Sequence, residues 1–351
     1  MKLSQYTLDL LNDIEERIRP EVEEDYIAQW KSFWNGEVKD IIFIPKRKIL
    51  STPGTELKNI NINDALEDME LMLDMQLAGV SKALNSPTSA LSVRANYGTG
   101  IIPTLFGAEV FKMPRSTNTL PTVKAFSDLN DLLKETESGI PDINRGFGRK
   151  VFEFGELCLE TFADYPKISK YVTVYHPDTQ GPLDIADLLM GSELFYMLYD
   201  DPDFVHSFMQ LITDTYARFI DTWFLMFPCR EDLNVHWGFW MKGGICLRND
   251  SAINLSPDQY REFVLKYDRY LLDRYKGIMH YCGKGDHFIG IAAEIEGLTG
   301  INLSQPHLND MEKVYGAAFP NNKKLIALAG KTCAEYEKRS DAVRGMIFGG
   351  K

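Results

Sequence analysis

A chain of 351 residues, 44% hydrophobic and 25% charged, has the composition of an ordinary globule and not of a disordered segment. Its formal charge of -12 argues against nucleic acid or an anionic membrane as a main partner, since both are gripped through clustered lysine and arginine. No apolar run reaches the roughly 18 residues of a membrane span, no signal-peptide core opens the chain, and five cysteines without C-x-x-C spacing fit a reducing cytoplasm.

Residues 1–35 read as a helical extension, with charged and apolar positions alternating along a surface helix from Met1 to Pro20. The run Asp40 to Pro45 is continuously apolar from Ile41 to Ile44, as in a parallel strand covered on both faces. A helix is expected from Asn63 to Leu84, and a second strand from Ala90 to Tyr97. Helices over 127–136 and 148–162 precede a third strand, Tyr171 to His176, and a long helix follows from Pro202 to Met226. Further strands are expected at Asn234–Trp237, Gly277–Cys282, Ile301–Ser304, Lys324–Ala329 and Gly345–Phe348. Helices separate them over 257–275, 286–296, 309–315 and 333–343. Strand alternating with helix implies parallel pairing and right-handed crossovers. Eight such units predict an α/β fold, a (β/α)₈ TIM barrel over residues 36–351, with an open doubly wound sheet as the alternative.

In such a barrel, chemistry gathers at the C-terminal ends of the strands. Asn96 and Tyr97 end the second strand, His176 the third, and His236 and Trp237 the fourth; Cys246, Arg248, Asn249 and Asp250 follow in a loop. The fifth strand is the richest. His280 and Cys282 stand two positions apart, on one face of a strand, and Gly283 lets the backbone turn away behind them. Imidazole and thiolate together suit zinc. The plainer alternative is a packed thiol beside a satisfied ring.

Cys333 lies near a helix N-terminus, where a thiolate is favoured, and is a candidate third ligand; Cys246 and His236 are weaker ones. Arg248 with Asp250 could clamp a substrate or form a surface ion pair. Trp237, Trp240 and Met241 could wall a pocket or belong to the core. Gly98-Thr99-Gly100 lacks the third glycine of a dinucleotide fingerprint, and neither a Walker A lysine nor HExxH nor GxSxG is present.

Four segments in order bring a resemblance: Ile102–Val110 (IPTLFGAEV), Gln180–Leu188 (QGPLDIADL), Asn249–Phe263 (NDSAINLSPDQYREF) and His280–Gly283 (HYCG). Over roughly residues 90 to 350 the chain resembles the uroporphyrinogen decarboxylase (URO-D) superfamily, whose fold is a (β/α)₈ barrel. That superfamily includes decarboxylases and cobalamin-dependent methyltransferases. The decarboxylase hallmarks, an RQAGR segment after the first strand and an Asp after the second, are replaced here by Pro45-Lys46-Arg47-Lys48 and by Asn96-Tyr97. The methyltransferase branch binds zinc through an HxC pair and a later Cys. His280 and Cys282 match the pair, but the chain ends Gly349-Gly350-Lys351, so the third position would fall to Cys333 from the preceding loop, or to a carboxylate, a histidine or water.

What the resemblance implies is a zinc-dependent methyltransferase moving a methyl group between a corrinoid protein and a small thiol or similar acceptor. His280 and Cys282 would be catalytic, and they would hold zinc with Cys333. Asn96, Tyr97, His176, Trp237, Arg248 and Asp250 would face the substrate. Partners would be a small-molecule substrate and a corrinoid protein, with a homodimer also open. The alternatives are a metal-free decarboxylase of a tetrapyrrole or organic acid, using Arg47, Arg94 and Arg248, and a non-catalytic barrel that binds a corrinoid or tetrapyrrole.

Overall fold

The structure, a computed structural model, describes residues 2–350. Twelve strands are present among them: β1 (Ile42–Phe43), β2 (Ser92–Val93), β3 (Glu109–Phe111), β4 (Thr122–Lys124), β5 (Thr173–Val174), β6 (Leu233–His236), β7 (Phe239–Lys242), β8 (Ile245–Arg248), β9 (Gly277–Tyr281), β10 (Leu298–Leu303), β11 (Lys324–Leu328) and β12 (Ile347–Gly349). Six of them form one sheet in the order β1-β12-β11-β10-β9-β8, every pair parallel. β2 and β5 form a second parallel pair. The fold is therefore mixed α/β around a central parallel sheet. β3–β4 and β6–β7 are antiparallel hairpins, neither expected from the sequence.

The alternation of side chains sorts the sheet into two faces. Leu247, Met279, Ile301, Leu325 and Ile347 belong to the large cluster packed beneath the helices. Cys246, Ile278, Ile326 and Phe348 belong to a second cluster on the other face. Helix Pro20–Trp34 closes that second face from below: Trp30 sits edge-on to Phe43 and Phe348, and the Trp34 indole N–H donates to the Trp240 carbonyl at 2.9 Å. Leu10, Leu11 and Ile14 of the preceding helix, Gln5–Arg17, are fully buried, so the N-terminal helices contribute core as well as surface.

One strand assignment changes. Asn234–Trp237 is not the fourth parallel rung but the first arm of the β6–β7 hairpin; the rung is β8, in the segment expected to be a loop. The hairpin closes on Trp237-Gly238, both at positive φ (46° and 78°), the geometry of a two-residue primed turn. Such turns ordinarily use Asn-Gly or Asp-Gly, so a Trp-Gly pair gave no turn signal. Two helices expected as single units are broken. Asp68 caps a new helix, Met69–Ala83, and Ser256 with Gln259 forms a capping box that starts Pro257–Phe263 ahead of Leu265–Tyr275.

Candidate metal centre

Strand register builds the site. Arg248 pairs with His280 across β8–β9, and His280 pairs with Asn302 across β9–β10, which sets three polar residues in one row above the apolar layer of Cys246 and Ile278. The row fixes the imidazole. Asn302 Nδ2 donates to the Ile326 carbonyl at 2.7 Å, so its Oδ1 is turned to His280 Nδ1 at 2.6 Å and must accept there. The proton of His280 is thereby held on Nδ1, and Nε2 keeps its lone pair. This is the arrangement in which histidine binds metals.

Nε2 of His280 lies 3.4 Å from Cys282 Sγ and 3.7 Å from Asp250 Oδ1. One ligand atom from each of Asp250, His280 and Cys282 falls within 4.8 Å of the other two, and no other such group occurs among the described residues. Asp250 is also tied to the strand end, because Oδ1 accepts the Cys282 N–H at 2.6 Å. Gly283, at φ 83°, turns the chain away, and its N–H donates to Gln305 Oε1. Burial holds the His280 pKa below its ordinary value despite the nearby Asp250 carboxylate, which keeps the ring neutral at pH 7. Burial pushes the Cys282 thiol up, so a metal would displace a proton on binding it. Nitrogen, sulfur and one carboxylate oxygen form a donor set that zinc accepts.

Trp237 forms the adjoining wall. Its ring is edge-on to His280 with centroids 4.8 Å apart, and the Arg248 guanidinium lies 4.8 Å from the indole centroid. A bulky residue at positive φ is an uncommon conformation, and here it carries the indole between the two functional side chains while leaving it 38% exposed. Arg248 is buried and paired with Asp178 at 2.9 Å, so of the two expectations for Arg248 with Asp250, a substrate clamp or a surface ion pair, the ion pair is not formed. Its Nη2 donates to His236 Nε2 at 3.0 Å. The partner Asp178 was missed because it stands in the loop after β5, distant in sequence from Arg248.

Four expected residues, Cys333, His176, Tyr97 and Arg47, stand elsewhere. Cys333 is not part of the group: it lies inside helix Gly330–Glu337, buried, with Sγ directed to the Leu328 carbonyl at 3.5 Å, and burial pushes its thiol up to about 11. Asp250 takes the third position expected of it. His176 is fully buried with both ring nitrogens engaged, Nδ1 donating to the Pro177 carbonyl at 2.7 Å and Nε2 accepting the Cys246 N–H at 3.1 Å. It splints β5 to β8 and offers nothing to a substrate. Tyr97 is 1% exposed and stacked on Phe147, within the cluster beneath the helices. Asn96 is partly buried, and its Oδ1 has no partner. Arg47, invoked for a decarboxylase, is spent on structure: it pairs with Glu23 at 2.7 Å and donates to the carbonyls of Ala83 and Ser86.

No helix among the described residues is long and apolar enough to cross a membrane. No family model matches the chain, and no curated protein matches its sequence. Among solved structures it is similar to a methyltransferase from Methanosarcina mazei, with a TM-score of 0.61 and 14% sequence identity over 92% of this chain and 91% of that one. At that identity the likeness is one of fold, and the fold is that of the methyltransferase.

Proposed function

We propose that this chain is a zinc-dependent methyltransferase of the URO-D type, built on a closed (β/α)₈ barrel, that moves a methyl group between a corrinoid protein and a small thiol acceptor. The observation that carries the reading is the convergence of Asp250, His280 and Cys282 at the C-terminal strand ends. The methyltransferase named among the solved structures supports it at the level of fold. His280 Nε2, Cys282 Sγ and a carboxylate oxygen of Asp250 would hold the ion. Zinc bound there would supply a Lewis acid that favours the thiolate form of an acceptor thiol. The thiolate of Cys282 and the carboxylate of Asp250 carry two negative charges against its two positive ones, so Asp250 replaces a second thiolate without changing the charge balance.

The remaining residues orient and shield. Asn302 holds the His280 ring, and the Asp250 bond to the Cys282 amide sets the distance between two of the ligands. The Trp237 indole covers one side and excludes water, while Arg248, braced by Asp178, keeps the indole in place through its face. The corrinoid would arrive on a separate protein.

Elemental analysis of the purified protein, paired with demethylation of methylcobalamin by a small thiol, tests the reading. Wild-type protein should carry zinc and consume methylcobalamin in a thiol-dependent reaction; Cys282→Ser should lose both. If metal content and methyl transfer survive that change, the proposal fails.

One observation favours a second reading, a metal-free decarboxylase of an organic acid. Arg94 Nη1 is buried without a partner, and its guanidinium lies 5.9 Å from the Tyr175 ring centroid, so a cation at the strand ends is left open to a carboxylate. That enzyme would release carbon dioxide at a rate indifferent to chelators.

A further inference from the structure

The loop that carries Asp250 is fastened by a second carboxylate that touches no metal ligand's side chain. Asp184 sits in the first turn of helix Pro182–Met190 and is 3% exposed. Both of its oxygens face the backbone just past β8: Oδ2 accepts the Asp250 N–H at 3.0 Å and Oδ1 the Ser251 N–H at 2.8 Å. One turn later on the same helix, Asp187 Oδ2 accepts the Ser251 hydroxyl at 2.7 Å. Gly181 makes this reach achievable. A Cβ at that position would stand 2.0 Å from the Arg248 carbonyl oxygen, so only glycine lets the helix start against the end of β8.

The arrangement is costly as pure scaffolding. Among the described residues no cation lies within ion-pair distance of Asp184, and burying a lone carboxyl group costs free energy in desolvation of the charge or in forced uptake of a proton. Burial and the Asp250 charge push its pKa up to about 8, while the two amides and the positive end of the helix pull the other way, so the carboxyl is held buried whether charged or protonated. An apolar side chain would fill the space at lower cost. What the carboxylate achieves is the gripping of two consecutive amides, which fixes the Asp250 backbone and so the direction in which its side chain meets Cys282 and His280.

We infer that Asp184 is a positioning residue for the metal centre, acting through the Asp250 backbone, with Asp187 as an auxiliary clamp on Ser251. This rests on the metal-centre reading of the site. Asp184→Asn is nearly isosteric, keeps one acceptor oxygen and turns an amide NH₂ towards the other backbone N–H. It should weaken zinc binding about 10- to 100-fold, the range seen when an outer partner of a metal ligand is removed. Zinc affinity is measured by competition with a chromophoric chelator, and the visible bands of the cobalt(II)-loaded protein should shift or weaken in the variant. Melting of the metal-free protein should change little, and Asp187→Asn should weaken zinc binding by less than Asp184→Asn.

A purely structural Asp184 would lower the melting temperature and leave affinity and cobalt spectrum as in wild type; that result overturns the inference alone. If wild-type protein takes up neither zinc nor cobalt, the metal-centre reading falls and this inference falls with it. Should Asp184→Asn fail to fold, Asp184→Ser, smaller and uncharged, is read in its place by the same two measurements.

Discussion

Two histidines end two parallel strands of this molecule, and their fates differ. His176 follows β5 and His280 lies in β9; both rings are buried, and each has its Nδ1 tied to an oxygen, the Pro177 carbonyl in one case and the Asn302 amide in the other. The second nitrogen makes the difference. In His176 it accepts the Cys246 N–H and bridges β5 to β8, two strands that do not pair with each other. In His280 it faces a thiol and a carboxylate. One ring has replaced a ladder hydrogen bond, and the other holds a lone pair in reserve. Burial of an imidazole at a strand end therefore says little about function until the partner of its second nitrogen is known.

That contrast is broken most severely at His280 itself. His280→Ala should reduce zinc affinity by about 100-fold or more, beyond the range for an outer partner, while leaving the fold intact. His176→Ala should leave zinc content as in wild type. Metal analysis of the two variants side by side decides the matter, and equal loss from both would erase the distinction. Asn302→Ala should produce a smaller drop, about 10- to 100-fold, because the ring keeps its place on β9 but loses the partner that fixes its proton on Nδ1. A chelator titration reads that difference directly.

The His280/Cys282 pair was legible because a strand's two-residue period puts them on one face and Gly283 marks the turn. The parallel α/β architecture was legible for the same kind of reason: apolar runs in alternation with helical patterns. Register was not. Nothing in the sequence says that Asn302 lies opposite His280, or that Asp178 and not Asp250 answers Arg248. The displaced fourth rung had a local cause. Ile245-Cys246-Leu247 is a short apolar run behind two glycines, and the more aromatic Asn234–Trp237 drew the assignment, although its turn uses a tryptophan at positive φ. Asp250 could enter the ligand set only once β8 was known to end at Arg248, which puts Asp250 beside the end of β9. Cys333 misled because proximity to a helix start is a one-dimensional cue, and its sulfur turns inward to a carbonyl.

The splinting role of His176 predicts a cost in stability where His280 predicts a cost in binding. His176→Ala strands the Cys246 N–H in the interior and opens a small void, which should lower the unfolding free energy by about 1–3 kcal/mol. Gly181→Ala tests the neighbouring contact on the same scale, about 1–3 kcal/mol from forcing a methyl group against the Arg248 carbonyl. Gly316, where an added Cβ meets nothing within 4 Å, is the control that should show no such loss. Urea titrations of the three variants provide the comparison.

Acid sharpens the same contrast by a smaller amount. Burial depresses the His176 pKa from its ordinary 6.5 to about 4, so the folded protein keeps this ring neutral while the unfolded chain protonates it. A base depressed in the folded state contributes stability that is fully present above about 6.5 and is lost as pH falls towards 4. At pH 5 the loss from this one group should be on the order of 1–2 kcal/mol relative to pH 7.5. His176→Ala removes the ionisable ring, so its unfolding midpoint should fall less between those two pH values than that of wild type. Parallel slopes for the two proteins would show that the His176 ring is not held neutral against acid by the fold, and the bridge from β5 to β8 would lose its electrostatic signature.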